Sequence, residues 1–376
     1  MNFAVSSEAG ALLAEARAVL SSPAGERLVA ALAARRDRDP RPLFRLLGER
    51  ALLAPHWPRD LGGRGCRLTD AAAVFEELGR LGVPDALHVI SLQTVGGLLL
   101  MAGTPEQRRR YLAPMARGDA YAAVLFTERA AGSDLAAVET TASADGDGFV
   151  LSGSKTFNLV TGYTDHGLCL ARSSSGSSRY DGLTLFMVPL DRPGVRVVAM
   201  ESIADDWFHE VELDDVRVDA GAIVGRPGSA WPLLMRGLSL ERTGLDCCAR
   251  ARHWLDLAWR AAEGHGCDAG VLAGLSRLEA RLDAARLLTY RVLTRMDAGA
   301  APDDQVAAAK WYSAEVAFAA AAAAPELLGG RVLDVPGLEA AYREAAGLRI
   351  AGGTAEIVLE TFAAMRTAGA DPGGDL

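Results

Sequence analysis

The spacing of hydrophobic positions divides the chain into three stretches. From about residue 11 to 117, apolar residues such as Leu92 and Val95 recur every three or four positions, which predicts amphipathic helices. From residue 121 to about 228, apolar and polar residues alternate, which predicts short strands. From residue 231 to 366 the helical spacing returns in long alanine-rich segments. The pattern therefore predicts two helical regions around a β region.

Short polar motifs predict where individual elements begin and end. Thr69 with Asp70 predicts the N-cap of one helix, and Thr104 before Pro105 predicts the N-cap of another. The run Asp145 to Gly148 lies between two alternating segments. Because Asp-Gly steps favour positive φ, this run predicts a β-hairpin turn.

Together these elements predict an α+β multidomain chain. We expect an N-terminal α-helical domain at 1–120, a middle antiparallel β-barrel or sandwich domain at 121–228 and a C-terminal four-helix bundle at 229–368, followed by a flexible tail at 369–376. The bundle helices are expected to be about 20–30 residues long, with breaks at Gly264 to Gly266, Gly299 to Pro302, Gly329 to Gly330 and Pro336 to Gly337.

The composition argues against several classes of binding partner and site. With 39 Lys and Arg against 48 Asp and Glu, the formal net charge is −9, which argues against a general binder of nucleic acid or anionic membranes. The five cysteines form no C-x-x-C pair and the six histidines show no metal-ligand spacing, so no metal site is predicted. No signal-peptide pattern opens the chain, and the longest apolar run, at 316–325, is too short to span a bilayer. These features predict a soluble cytoplasmic protein.

The most informative segment is the run 125–136, which reads LFTERAAGSDLA. It resembles the first signature of the acyl-CoA dehydrogenases, flavoproteins that desaturate acyl thioesters between Cα and Cβ. A strand end followed by small residues leaves backbone N–H groups and Ser133 available for phosphate oxygens, while Thr127 can hydrogen-bond the edge of a flavin ring. The alternative interpretation is an ordinary β-turn with a structural threonine and serine.

Further segments resemble the same family in the expected order. They are 57–63, 103–112, 153–157, 211–218, 342–345 and 352–357, the last two being similar to the second signature. The resemblance implies the family's three-domain fold, FAD as cofactor, an acyl thioester substrate, and a homodimer or homotetramer. It also implies a separate electron acceptor, either an electron-transfer flavoprotein or another acceptor, with oxygen left open.

The resemblance further implies a carboxylate that removes the α-proton while the β-hydrogen leaves as hydride. Most members carry this glutamate directly before the Gly-Thr of the second signature, where this chain has Gly352. Members resembling the isovaleryl and long-chain enzymes supply it from the helix that opens the C-terminal bundle. Glu241 matches that position and is the candidate base, with Arg242 as a candidate substrate-binding residue. Glu356 and Asp246 are weaker alternatives for the base.

The family's cofactor residues are matched only in part. The candidates for contacting FAD are Phe126, Thr127, Ser133, Phe157 and Thr354, and Ser133 is also a candidate for contacting substrate. Three positions depart from the family. The connection 262–268 lacks the usual Arg-x-x-Phe-Gly, Glu326 replaces a glutamine, and Leu159 replaces a flavin-contacting threonine.

We therefore predict FAD-dependent α,β-dehydrogenation of an acyl group carried on CoA or on an acyl carrier protein, in a specialised biosynthetic pathway. Two alternatives remain open. One is a degenerate subunit of a hetero-oligomer, whose flavin site is completed by a second chain. The other is a repurposed catalyst that uses the same pocket without net oxidation.

Overall fold

The computed structural model describes residues 6–34, 39–204, 207–263 and 269–368, and the structural statements below concern these residues. They fall into two compact units. Unit 1 comprises Met1–Leu43, Gly65–Asp85 and Arg242–Leu376, and unit 2 comprises Phe44–Arg64 and Ala86–Glu241. The domain boundaries predicted at residues 120 and 228 remain a prediction. The predicted tail, and the predicted break at Gly264 to Gly266, lie outside the described residues.

The elements follow the predicted order of helices, strands and helices. The described helices are α1 (Ser7–Leu20), α2 (Pro23–Ala33), α3 (Arg41–Gly48), α4 (Leu68–Arg80), α5 (Gly96–Ala102), α6 (Pro105–Gln107), α7 (Ala113–Arg117), α8 (Ala230–Glu241), α9 (Leu245–Glu263), α10 (Ala269–Asp297), α11 (Asp303–Leu328), α12 (Pro336–Leu348) and α13 (Ala355–Ala368). The described strands are β1 (Ala122–Leu125), β2 (Thr141–Asp145), β3 (Gly148–Leu159), β4 (His166–Arg172), β5 (Leu183–Pro189), β6 (Val195–Met200), β7 (Phe208–Asp219) and β8 (Ile223–Val224). π-helical segments run over His88–Val95 and Arg108–Leu112.

Unit 1 is a helical assembly built on α9, α10 and α11. Their buried faces share one apolar cluster, rich in alanine and leucine, to which α12 also contributes. α10 and α11, with 29 and 26 residues, have the predicted length, whereas α9, α12 and α13 are shorter. The helical stretch Asp303–Asp334 is, within the described chain, the one long and apolar enough to cross a membrane by length and composition. In unit 1, however, α11 packs against α9, α10, α12 and α13, as the core helix of a bundle does.

The predicted cap of α4 is wrong. The helix begins at Leu68 with Arg67 at the N-cap, whose side chain makes no capping bond, so Thr69 lies inside the first turn. The cap comes instead from the last residue of α10. The Asp297 carboxylate accepts hydrogen bonds from the backbone N–H groups of Leu68 (2.7 Å) and Thr69 (3.1 Å) and from the Thr69 hydroxyl (2.7 Å). A carboxylate at a helix N-terminus also interacts favourably with the helix dipole.

The other predicted cap is confirmed, as is the hairpin. Thr104 and Gln107 form a reciprocal capping box at the start of α6. β2 and β3 pair antiparallel from Thr141 opposite Ser152 to Asp145 opposite Gly148, which leaves a two-residue turn. Gly146 in that turn has φ +62°, a conformation that the Asp-Gly step favours.

Unit 2 is built around one sheet with the strand order β6-β7-β3-β2-β4-β5-β8. Pairing is largely antiparallel, as predicted, but β1 pairs parallel to β4, and Thr141 of β2 also faces Arg172 of β4 in parallel. The segment 211–218, one of those that resemble the family, lies within a single strand, β7. Asp215, at φ +50°, lies in its middle, where the register with β3 shifts.

We predict that Asp297→Ala destabilises the protein by about 1–2 kcal/mol, because the first turn of α4 loses three hydrogen bonds and a dipole partner. Chemical denaturation followed by circular dichroism measures the loss. Asp283→Ala, at an exposed position of α10, the helix that also contains Asp297, is the matched control and should change stability by less than about 0.5 kcal/mol. Equal effects of the two substitutions would contradict the capping role.

Candidate functional site

The end of β1 is held by a buried ion pair. Lys155 on β3 is fully buried, and its Nζ donates to the Phe126 carbonyl (3.1 Å) and to Glu128 Oε1 (2.7 Å). The Glu128 carboxylate also accepts the Thr140 hydroxyl (2.6 Å) and the N–H groups of Thr140 (3.0 Å) and Glu139 (2.6 Å). One pair of charges therefore ties β1 to β3 and to the residues before β2.

The electrostatics of Glu128 keep it ionised. Burial acts to raise the pKa of its carboxyl, but the Lys155 ammonium, the Thr140 hydroxyl and the Glu139 N–H together outweigh burial and hold the pKa below its usual range. A folded-state pKa below the unfolded value stabilises the native state above the unfolded pKa. That stabilisation is lost as the pH falls through the folded pKa.

This anchored strand end brings two of the predicted flavin residues together. The Thr156 N–H donates to the Thr127 carbonyl (2.9 Å), which sets Thr127 beside Phe157. Phe157 is 59% exposed and has φ +54°, an uncommon backbone conformation for an aromatic residue. Its ring meets Phe208 edge to face at 6.3 Å. The backbone of Thr127, a partly exposed residue, is thus joined to the residue that directly precedes the exposed Phe157.

The remaining residues of this segment differ in accessibility. Phe126 is only 4% exposed and its carbonyl accepts the Lys155 hydrogen bond, so its predicted contact with FAD stays a prediction. Ser133 is exposed in the turn that follows. Among the residues that the structure describes, the hydroxyls of Thr127 and Ser133 have no hydrogen-bond partner. The neighbouring Asp134 is ion-paired with Arg179.

The candidate base lies in the same unit. Glu241 is the last residue of α8, and its Oε2 accepts a hydrogen bond from the Thr94 hydroxyl at 2.8 Å. Thr94 belongs to the π-helical segment His88–Val95 and is fully buried. In the same segment, the Ser91 hydroxyl accepts the N–H of Ala122 in β1 at 2.7 Å. The segment His88–Val95 therefore contacts both β1 and the candidate base, Glu241.

Unit 1 contains the second signature. The Arg242 guanidinium donates through Nε to the carbonyl of Gly352. Gly352 and Gly353 have φ +69° and +108°, a backbone conformation for which glycine is best suited. The Thr354 hydroxyl accepts the Ile357 N–H (3.3 Å) and so caps α13. The structure therefore engages Arg242 and Thr354 locally, and their predicted contacts with substrate and flavin stay predictions.

The alternative bases have less suitable surroundings. Glu356 is exposed in the first turn of α13, where hydrogen bonds from its own backbone N–H and from the Thr354 hydroxyl lower the pKa of its carboxyl. A lowered pKa weakens a proton acceptor. Asp246 lies in the first turn of α9, where its Oδ2 is 3.7 Å from the Cys247 sulfur.

Two features of the site were missed from the sequence. The position of Lys155 on the inward face of a predicted strand was a detectable signal of an ion pair, because a buried charge needs a partner of opposite charge. Thr94 carried no such signal, since nothing in its local sequence indicates a contact 147 residues away.

The residues of unit 2 fit the flavin-ring end of FAD. An unpartnered threonine hydroxyl suits the polar edge of a ring, and an exposed phenylalanine suits its face. Fewer residues that could bind the diphosphate of FAD are identified. Glu326, where the resemblance implies glutamine, is exposed in the last turn of α11, and residues 264–268 of the next connection lie outside the described residues. Within the described chain, His, Cys, Asp and Glu form no group of three that could hold a metal ion.

Comparison with known proteins covers most of the chain. Family models match for the acyl-CoA dehydrogenase N-terminal domain at residues 6–119, the middle domain at 123–216 and the C-terminal domain at 228–366. The chain is 29% identical over 351 residues to the short-chain specific acyl-CoA dehydrogenase of Bos taurus, covering 88% of this chain and 83% of that protein.

Two further similarities are informative. Acyl-CoA dehydrogenase IpdE1 of Mycobacterium tuberculosis is 38% identical over 187 residues, which cover 50% of this chain and 49% of IpdE1. The chain thus spans about half the length of its IpdE1 relatives. The solved structure described as "Tcur3481-Tcur3483 steroid ACAD" is 26% identical, with a TM-score of 0.87, over 98% of this chain and 99% of that one.

We predict that Lys155→Met destabilises the protein by about 3–5 kcal/mol, because the Glu128 carboxylate is left buried without its cation. Adding Glu128→Gln removes the unpaired carboxylate. In denaturant titrations, the double variant should therefore lose less free energy of unfolding than the sum of the two single losses. Arg196→Met breaks the exposed pair with Glu212 and serves as control, with an expected change below about 1 kcal/mol. Strictly additive losses at residues 128 and 155 would contradict the role of the buried pair.

Proposed function

The chain belongs to the acyl-CoA dehydrogenase family, and from this premise we propose that it removes hydrogen from Cα and Cβ of an acyl thioester with FAD as cofactor. Glu241 is the proposed base. The observation that carries the proposal is the backbone hydrogen bond between Thr156 and Thr127, because it joins two of the predicted flavin residues, Thr127 and the exposed Phe157, through neighbouring backbone just after β1.

The assignment of the base is supported by differences among the carboxylates. Gly352 has no side chain to accept a proton, and Glu356 has a lowered pKa and an exposed position. Glu241 is half-buried and receives a hydrogen bond from a fully buried hydroxyl. Hydrogen bonding that fixes a carboxylate in one orientation favours proton transfer at a defined atom.

In the proposed mechanism, different residues remove the proton, bind the flavin ring and bind phosphate. FAD, when bound, supplies the acceptor for the hydride that leaves Cβ. Glu241 takes the α-proton on a carboxylate oxygen. When FAD is bound, the Thr127 hydroxyl and the Phe157 ring would hold the polar edge and the face of the flavin ring, while Ser133 and nearby backbone N–H groups would bind phosphate oxygens. Contacts of Thr354 with flavin and of Arg242 with substrate rest on the family resemblance.

The substrate is proposed as an acyl thioester carried on CoA or on an acyl carrier protein, with the reaction serving a specialised biosynthetic pathway. Similarity to a protein described as a steroid ACAD adds bulky ring-bearing acyl groups to the candidates. The panel to test therefore includes short straight, branched and steroid-derived acyl thioesters, each on CoA and on a phosphopantetheine carrier.

The partners and the location of the protein are also proposals. We propose an electron-transfer flavoprotein or another acceptor for the electrons, a homodimer or homotetramer as the assembly, and the cytoplasm as the location. Following thioester oxidation with the flavoprotein, with an artificial dye and with oxygen alone identifies the acceptor.

A second candidate is a subunit whose flavin site is completed by another chain. It is favoured by the missing arginine of the connection 262–268 and by Glu326, which brings a negative charge where an anionic cofactor would approach. A colourless protein that becomes yellow only when co-expressed with a paralogue would support this candidate over the first.

The direct test measures flavin content and flavin reduction by substrate. The purified protein is expected to be yellow, to release FAD near stoichiometrically on heating, and to bleach when an accepted thioester is added without oxygen. Glu241→Gln should keep the flavin but lower the bleaching rate by about a thousandfold or more, since a positioned base contributes about 10²–10⁴-fold.

Glu356→Gln is the matched control, because it removes a carboxyl from the second signature without touching α8. It should bleach at the rate of the unmodified protein. Normal bleaching by Glu241→Gln would overturn the base assignment. Thioester turned over without any electron acceptor would instead support a non-oxidative catalyst.

A further inference from the structure

The hydroxyl of Thr94 lies between two acceptors. Its Oγ1 is 2.8 Å from Glu241 Oε2 and 3.1 Å from the carbonyl oxygen of Val89. Thr94 itself is completely buried. The hydroxyl carries a single proton, so it can donate to only one of these oxygens at a time, while its own lone pairs remain able to accept.

The helical geometry explains why both acceptors are within reach. In an α-helix a threonine hydroxyl bonds the carbonyl three or four residues before it. Val89 is five residues before Thr94, at the spacing of the π-helical segment His88–Val95. The wider turn thus gives the hydroxyl a backbone acceptor while it also faces α8.

A close helix contact one turn away fixes this arrangement. Leu98 follows Thr94 by four residues, and Gly237 precedes Glu241 by four, so each lies on the same helix face as its neighbour. A Cβ added at Gly237 would collide with the Leu98 side chain. The absence of a side chain at Gly237 therefore lets the two helices approach closely enough for Thr94 to reach Glu241.

We propose that Thr94 is a positioning residue that holds the Glu241 carboxyl in place in both of its protonation states. When Glu241 is ionised, the Thr94 hydroxyl donates to Oε2 in a charge-assisted hydrogen bond. When Glu241 has taken up a proton on Oε2, the carboxyl O–H donates to Thr94 Oγ1, and the threonine proton turns to the Val89 carbonyl. In both states the hydrogen bond between Thr94 and Glu241 is kept, and every hydroxyl proton has an acceptor.

This inference rests on the proposed function, since it concerns Glu241 as the base. Its consequence is that proton uptake by Glu241 requires the rotation of one hydroxyl rather than a rearrangement of helices. A site that needs little reorganisation during the reaction is an effective catalyst. Thr94 acts through Glu241, so its loss should affect the rate of proton removal more than the binding of substrate.

The test compares Thr94→Val, which keeps the shape of the side chain and removes the hydroxyl, with Thr94→Ser, which keeps the hydroxyl. Thr94→Val should slow flavin reduction at saturating thioester about tenfold to a hundredfold, the range expected for a lost hydrogen bond to a charged group. The half-saturating thioester concentration should change less than about threefold. Thr94→Ser should recover most of the rate, and Thr161→Val, which removes another buried hydroxyl of unit 2, should leave the rate unchanged.

A second readout requires no turnover. In denaturant titrations of the unmodified protein, Thr94→Val, Glu241→Gln and the double variant, the two sites should couple by at least about fivefold in the unfolding equilibrium constant. Two outcomes would overturn the role of Thr94 but leave Glu241 as the base. One is additive effects in the double variant, and the other is an unchanged rate in Thr94→Val while Glu241→Gln is inactive. Rapid flavin reduction by Glu241→Gln would overturn both the base and its positioning residue.

Discussion

A buried pair of opposite charges in unit 2 fixes the end of β1 against β3. Lys155 and Glu128 are both withdrawn from water, and a buried charge is tolerated only when it is paired and hydrogen-bonded. The pair satisfies this requirement by using the Phe126 carbonyl and the groups at residues 139 and 140 as further partners. These contacts fix the end of β1 against β3, and that position in turn sets Thr127 beside Phe157. The surface proposed to receive the flavin ring thus depends on an interaction beneath it.

The sequence was sufficient to predict features whose causes are local. The capping box at Thr104 and the hairpin at Gly146 each depend on residues within a few positions of one another, and both were predicted correctly. The succession of helices, strands and helices follows from the period of the hydrophobic pattern, which each region carries in its own sequence. The candidate base and flavin residues came from a family resemblance rather than from local physics.

Features that depend on distant partners could not be predicted in this way. The first turn of α4 is capped by Asp297, more than 220 residues away, so the local signal at Thr69 was misleading. The parallel pairing of β1 with β4 and the contact of Thr94 with Glu241 likewise join residues that are remote in sequence. The positive φ of Phe157 belongs to a strand whose register shifts against β7, and composition gives no indication of such a shift.

If Glu241 removes the α-proton of an acyl thioester, its carboxylate must also catalyse isotope exchange at that carbon. The flavin-loaded protein is incubated in D2O without oxygen with a thioester that it binds but cannot oxidise, and mass spectrometry follows deuterium at Cα. We expect the unmodified protein to catalyse the exchange and Glu241→Gln not to, while Glu356→Gln exchanges at the unmodified rate. Exchange that persists undiminished in Glu241→Gln would contradict the claim.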